Sequence, residues 1–441
     1  MSNKRSVQVL RLESVCRAYI GFIWVYKHSD TLISSSAALT RLQQAVDTTV
    51  AATPVLSGTL VQKQEADPVA VQYTTDLVPG SVPVAHLSVP YEYGLVEQSG
   101  FDQNQFPELF GHLQSPTPVV DGLPVLRLHL FEFTCGSLAV AIMCHHALMD
   151  AYATITVAGQ IANCCHGFQP NNFWHSRDEV LSLVSTCKPD NVYPHMEDIW
   201  ERAANDKKAG MLSALGDAES RCCQLAITKQ AIVRLKTPNV ESDTLVLTAN
   251  DLCMALLWRA WTRVLISLGS QPSGSTYTGG PVDLRPQTRS LFADPDQYLG
   301  NLFLPHPISA PKQTILNHSL TSVAQLLHRH KLKALLPVFK HFVDSIEAGD
   351  PDVLAEVAMG DSPAITFSNM ARLPIYDVDF ALDSQKRCAD DVQLCSFSAP
   401  LMAFATSDGN DGLLVNIVLP ESVIQMFADD KELMTYARFV Y

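Results

Sequence analysis

The sequence predicts an α/β protein of two domains. Its 441 residues exceed what one hydrophobic core usually organises. Hydrophobic residues make up 47% and charged residues 17%, the balance of a chain that buries a large core. Strand-like and helix-like segments are mixed in both halves.

AYIGFIWVY (Ala18 to Tyr26) is aromatic and β-branched and predicts a strand. The following SAALTRLQQAVDTTVAATP repeats Leu39, Leu42, Ala45 and Val46 at helical spacing, and Pro54 stops it. VLSGTLVQ turns on Gly58 into another strand. PVLRLHLFEF (Pro124 to Phe133) and LAVAIMC (Leu138 to Cys144) pair across the turn CGS as a predicted hairpin. AYATITVAGQIANCC predicts a helix. From Ser185 to Arg221 the chain is polar, charged and weakly periodic, as expected of a crossover between domains. Thr248 to Leu268 predicts a strong helix capped by Thr248 or Asn250. HSLTSVAQLLHRHKLKALLPVFKHFVDSI is largely helical, broken at Pro337. AITFSN and LLVNIVLP read as strands, and PESVIQMFADDKEL begins a final helix. The expected organisation is a first domain over 1–185, a crossover over 186–225 and a second domain over 226–441.

The net charge of −14, with no basic stripe, argues against nucleic acid and anionic membrane as partners. The eleven cysteines are odd in number and scattered, and no CxxC pair has zinc spacing. Reduced thiols in a cytoplasmic monomer, without a metal, are expected. The start, MSNKRSVQVLRLES, contains no leader-like apolar run, and the most apolar windows are too short to cross a membrane.

The candidate chemistry lies in CHHALMDAY, directly behind the apolar LAVAIMC run. HxxxD occurs at His146 to Asp150, a pattern expected about once by chance in a chain with this many histidines. A histidine pair bonded to backbone at a strand end, or an i,i+4 helical pair of His146 with Asp150, would explain it without function. Its position favours chemistry, because a strand end is a rigid mount for a base and neutral imidazole accepts protons near neutral pH. GxSxG, GxGxxG and GxxxxGK[ST] are absent, so base catalysis without a bound cofactor is the chemistry that remains.

HHALMDA resembles the HxxxD signature of the BAHD acyltransferases, the trichothecene-type acetyltransferases and peptide-synthetase condensation domains. Further segments follow in the family's order: PVLSGTL, LTANDLCMALLWRAWTR, VDLRPQ with YLGN (Tyr298 to Asn301), FSNMARLPIYDVDFALD, and LLVNIVLPESVIQMFADDKEL. Together they cover nearly the whole chain and are closest in pattern to fungal secondary-metabolism members. The resemblance implies two chloramphenicol-acetyltransferase-like domains with mixed sheets, helices and an active-site channel between the domains. It implies an acyl-CoA-dependent O- or N-acyltransferase, with acyl-CoA as co-substrate and a natural-product hydroxyl or amine as acceptor. His146 would be the general base, and Asp150 would pair structurally with Arg285. Asp379 would shape the fold near the donor channel, and Ser368 or Asn369 would donate to the oxyanion.

DFALD replaces the family's DFGWG, with Ala381, Leu382 and Asp383 at the altered positions, and Met370 stands where the family often has Trp. HRHKLK supplies Arg329, Lys331 and Lys333 as candidates for CoA phosphates, against the commoner reading of a solvated helix face. Two other readings stay open. One is the same fold repurposed for cyclisation or pericyclic chemistry without CoA, and the other is a carrier-interacting module like an isolated condensation domain.

Overall fold

A computed structural model describes residues 4–9, 18–62, 69–103, 105–113, 122–173, 175–185, 220–236, 246–289, 294–331, 339–340, 343, 365–386, 388–395 and 402–440. In chain order the strands are β1 (Lys4–Gln8), β2 (Tyr19–Tyr26), β3 (Thr59–Val61), β4 (Ala70–Thr74), β5 (Val84–Val89), β6 (Leu126–Phe133) and β7 (Leu138–His145). They continue with β8 (Ser220–Ile227), β9 (Ser275–Asp283), β10 (Phe303–Pro311), β11 (Ile365–Asn369), β12 (Asp391–Cys395), β13 (Met402–Ser407), β14 (Leu413–Pro420) and β15 (Arg438–Phe439). The longer helices are α1 (Ser35–Ala52), α2 (Ala151–Cys165), α3 (Arg177–Ser185), α4 (Lys229–Lys236), α5 (Ala249–Ser267), α6 (Leu320–Lys331) and α7 (Glu421–Ala428).

The chain forms two compact units. The first comprises Met1–Leu183, Thr288–Leu302 and Leu373–Phe397. The second comprises Val184–Gln287, Phe303–Arg372 and Ser398–Tyr441. The two units are thus not successive halves. Segments 288–302 and 373–397, which the linear reading assigns to the second domain, pack into the first unit because of pairing that spacing cannot announce. β12 runs antiparallel to β2, with Val392 opposite Trp24, and Trp24 Nε1 donates to Ile375 O at 2.7 Å. Most of the expected crossover, 186–219, lies outside the described residues, and 220–225 already belongs to β8.

The first unit holds a five-stranded sheet in the order β12-β2-β7-β6-β5 and a three-stranded sheet β1-β4-β3. β6 and β7 form the expected antiparallel hairpin, with Leu126 opposite Cys144. β2 and β7 are buried along their whole length, which is why neither shows polar alternation. α1 and α2 pack against each other and against this sheet. Ser34 caps α1 by accepting from Ala37 N, and Pro54 follows its end. Tyr19, Ile23, Phe131, Phe133 and Met143 join Tyr93, Phe106 and Phe110 in one aromatic core cluster. Each such side chain contributes about 1.5–3 kcal/mol by leaving water.

The second unit is a seven-stranded mixed sheet, β10-β9-β11-β13-β14-β8-β15, with α5 in its main core cluster. β11 lies parallel to both β9 and β13. Trp258 and Trp261 of α5 are fully buried, and Trp258 Nε1 reaches Thr276 Oγ1 at 3.1 Å, which satisfies the indole. Thr248, not Asn250, caps α5, in a reciprocal capping box with Asp251. The final helix divides: α7 ends at Ala428 and a second helix, Lys431–Tyr436, restarts on Asp430, whose Oδ1 accepts from Leu433 N at 2.8 Å. α6 realises the first part of the predicted 318–346 helix, while 332–338, including Pro337, lie outside the described residues. Cys135, Cys144, Cys164, Cys165, Cys222, Cys223, Cys253 and Cys388 are unbridged, and among the described residues no helix is long and apolar enough to cross a membrane.

Candidate active site

β7 ends at His145, and the chain then turns into α2. Backbone bonds seat both histidines: His145 N donates to Val125 O and His146 N to Ala18 O, each at 2.8 Å. His145 O closes the turn by accepting from Leu148 N and Met149 N. The two rings then differ. His145 is 1% exposed, its Nδ1 accepts from Ala147 N at 3.1 Å, and its ring lies edge-on to Tyr19. Burial, with His146 beside it, pushes the His145 imidazole down to about 3. His145 is therefore a neutral structural residue.

The His146 ring is only partly buried. Its Nδ1 lies 3.0 Å from Asn301 Oδ1, while Asn301 Nδ2 donates to His146 O at 2.7 Å. A carbonyl can only accept, so His146 O fixes the orientation of the Asn301 amide. Asn301 Oδ1 must then accept from Nδ1–H, and in the neutral ring the lone pair sits on Nε2. One amide thus sets the tautomer and anchors the backbone of the same histidine. Asn301 is 2% exposed, so its amide has little freedom. It follows Gly300, where any Cβ would stand 2.0 Å from the Tyr298 ring. Glycine is what lets Tyr298 and Asn301 share so short a segment.

Asp150 is not a helical partner of His146. It is the N-cap of α2, with Oδ1 accepting from Ala153 N at 2.9 Å and Oδ2 from Leu302 N at 3.0 Å. The carboxylate therefore joins the start of α2 to the residue after Asn301, and its negative charge suits a helix N-terminus. His146, Asp150 and Asn301 come together within the first unit. The sequence pointed to the first two. Asn301 lay in the recognised YLGN segment, but no spacing signal joins it to a histidine 155 residues away.

Asp379 also lies in the first unit. Its Oδ1 accepts from Ala381 N at 2.9 Å and its Oδ2 is 3.0 Å from His166 Nε2, at the end of α2. Asp383 accepts from the Ser29 and Thr31 hydroxyls at 2.7 and 2.6 Å, and Arg41 Nη1 donates to Ala381 O. The altered DFALD segment is thus a loop pinned at both aspartates, with Phe380 and Leu382 fully buried. Ala381 carries it through a left-handed conformation, φ 54°.

The remaining candidates belong to the second unit. Arg285 is 2% exposed, and both its backbone N and its Nη1 face Asp283 Oδ1, at 3.0 and 3.3 Å. Asn369 Nδ2 donates to Asn250 Oδ1 at 2.8 Å and its Oδ1 accepts from Ala371 N, so this amide braces α5 against the turn after β11. Ser368 has the opposite facing in the strand and is partly buried. Of the basic run, Lys331 Nζ and His328 Nδ1 bind the two oxygens of Asp251 at 2.9 and 2.8 Å, Arg329 is exposed, and Lys333 lies outside the described residues. Burial opposes ionisation of Asp251, but Lys331 and His328 outweigh it and hold its carboxyl below the usual range. Lys331 and His328 thus serve the α5 cap.

A profile of the transferase family matches residues 13–434. Putrescine hydroxycinnamoyltransferase 3 of Oryza sativa subsp. japonica is 26% identical over 291 residues, 63% of this chain and 61% of that protein. Acyltransferase uat1 of Mycosarcoma maydis is 24% identical over 307 residues, 59% of this chain and 57% of that protein. These matches span less than two thirds of the relatives' own lengths. Among solved structures, F. sporotrichioides TRI101 complexed with coenzyme A and T-2 has the same fold, with a TM-score of 0.75 at 16% identity, covering 99% of this chain and 100% of that one. Vinorine synthase aligns with a TM-score of 0.68 at 14% identity, over 99% of this chain and 94% of that one. With HxxxD on a strand-to-helix turn and a family match along almost the whole chain, the protein belongs to the transferase family of BAHD and trichothecene-type acyltransferases.

Proposed function

We propose that this protein is an acyl-CoA-dependent O- or N-acyltransferase of secondary metabolism, with His146 as the general base. The observation that carries the reading is the His146–Asn301 arrangement, which leaves the basic lone pair of the neutral ring on Nε2. His146 Nε2 takes the proton of an acceptor hydroxyl or amine as that atom attacks the thioester carbonyl. The tetrahedral oxyanion then collapses, and the CoA thiolate leaves with the proton returned by His146. Such base catalysis contributes about 10²–10⁴-fold. The Ser368 hydroxyl is the better candidate for oxyanion donor, since Asn369 is already engaged with Asn250 and Ala371. One such donor contributes about 10²–10³-fold. The names of the relatives support the substrate classes: a hydroxycinnamoyl group carried to putrescine in one, and coenzyme A together with T-2 in the TRI101 complex.

The test is mass spectrometry of free CoA and product. Acetyl-CoA and a hydroxycinnamoyl-CoA are each incubated with a panel of alcohols and amines that includes putrescine. The expected result is acceptor-dependent CoA release with a product heavier by the acyl group. No CoA binding by calorimetry at millimolar concentration, with a substrate converted to an isomer of unchanged mass, would replace acyl transfer by the cyclase reading.

A further inference from the structure

Two carbonyls of the turn carrying His146 are satisfied by side chains from elsewhere in the chain. His145 O is taken within the turn by Leu148 N and Met149 N. His146 O instead accepts from Asn301 Nδ2, and Leu148 O accepts from Arg177 Nη2 at 2.7 Å. Arg177 opens α3 and is only 5% exposed, unusual for a guanidinium. Its Nη1 donates to His175 O at 2.9 Å, and its guanidinium carbon lies over the Tyr298 ring, 5.6 Å from the centroid. Tyr298 is in the same short segment as Asn301. Arg177 therefore touches both the turn that bears His146 and the segment that supplies its amide partner. All these residues lie in the first unit.

We propose that Arg177 is a positioning residue for His146. Its planar fork sets the spacing between the 146–150 turn and the 298–302 segment, so that Asn301 Oδ1 meets Nδ1 and holds the ring as the Nδ1–H tautomer. Lysine cannot replace it, because an ammonium lacks the flat face that stacks on Tyr298 while donating to separate carbonyls. Displacing a base by about 1 Å can lower a rate on the order of 10²-fold. The catalytic consequence rests on the reading of His146 as base. The tautomer consequence does not.

The experiment uses the full chain labelled with ¹⁵N-histidine and long-range ¹H–¹⁵N correlation, with His146→Ala assigning the His146 signals. Wild type is expected to show His146 as the Nδ1–H tautomer. Asn301→Ala, Arg177→Gln and Arg177→Lys should each move it toward the Nε2–H form, with near-UV circular dichroism unchanged. If Arg177→Gln does not fold, Tyr298→Leu removes the stacking partner while keeping the bond to Leu148 O, and the same shift is expected. With acetyl-CoA and an acceptor turned over by the wild type, Arg177→Gln should lower kcat about 10- to 100-fold while KM for acetyl-CoA changes little. In the His146→Ala background it should cause no further loss. A folded Arg177→Gln, or failing that Tyr298→Leu, with an unchanged Nδ1–H tautomer overturns the proposal. Full activity in His146→Ala would instead overturn the base reading and leave the tautomer result standing.

Discussion

Two adjacent histidines meet different surroundings. His145 faces Tyr19 and the Ala147 amide, while His146 meets an amide oxygen from a distant segment. His146→Ala is expected to lower turnover at least about 10²-fold with an unchanged melting temperature, whereas His145→Ala should lower the melting temperature. Equal catalytic losses without any stability change would contradict that division. At Ala381 the backbone adopts φ 54°, a conformation that costs an L-residue roughly 1–2 kcal/mol. Ala381→Gly should therefore stabilise the fold by about 1 kcal/mol in denaturant unfolding, and a loss of stability would show that the alanine methyl packs usefully. The altered residue was legible in the sequence. Its strain was not, because only the folded loop fixes φ.

At the scale of elements, the helix caps join separate parts of the chain. Asp251 is the acidic half of the α5 capping box and also the anchor of α6, through His328 and Lys331. Thr248→Ala should cost about 1 kcal/mol, the usual value for a lost N-cap. Asp251→Ala should cost more than that, because it removes the cap and also the shared partner of His328 and Lys331. Lys331→Ala should lower stability while leaving KM for acyl-CoA unchanged. A raised KM at unchanged stability would restore the CoA-phosphate role that the basic run first suggested. The cap itself was readable as Thr or Asn before an apolar helix. Its choice and its second partner were not, since His328 sits 77 residues further along.

At the scale of the whole molecule, buried imidazoles set an acid limit. His129 stacks on Phe131 and is 7% exposed, and burial, then the charge of Arg127 and His112, push it from 6.5 down to about 4. His145 goes to about 3. Both folded values lie below the unfolded one, so as pH falls through 6.5 the unfolded chain takes up protons first. Stability is full above that point, declines toward pH 4 and below, and levels off once the folded histidines also protonate. At about 1.4 kcal/mol per pKa unit, His129 accounts for roughly 3 kcal/mol of the loss. His129→Leu should flatten the decline between pH 6.5 and 4 in denaturant titrations, and an unchanged slope would refute this source of acid lability.

The sequence by itself determined the α/β class, helices α1, α2 and α5, strands β2, β6, β7 and β14, and the position of His146 behind an apolar strand, because periodicity, caps and turn residues act over a few neighbouring positions; it did not announce β8, β9 or β10. The HxxxD motif and the ordered segments sufficed to place the chain in its family. Tertiary structure alone decided that 288–302 and 373–397 belong with the first unit. It also decided that Asp150 caps a helix, that Asn301 sets the His146 tautomer, and that Arg177 reaches the same turn. Each of these is a contact between residues brought together by sheet pairing and burial. Such contacts follow from which buried surfaces pack together, and a linear pattern carries no record of that choice.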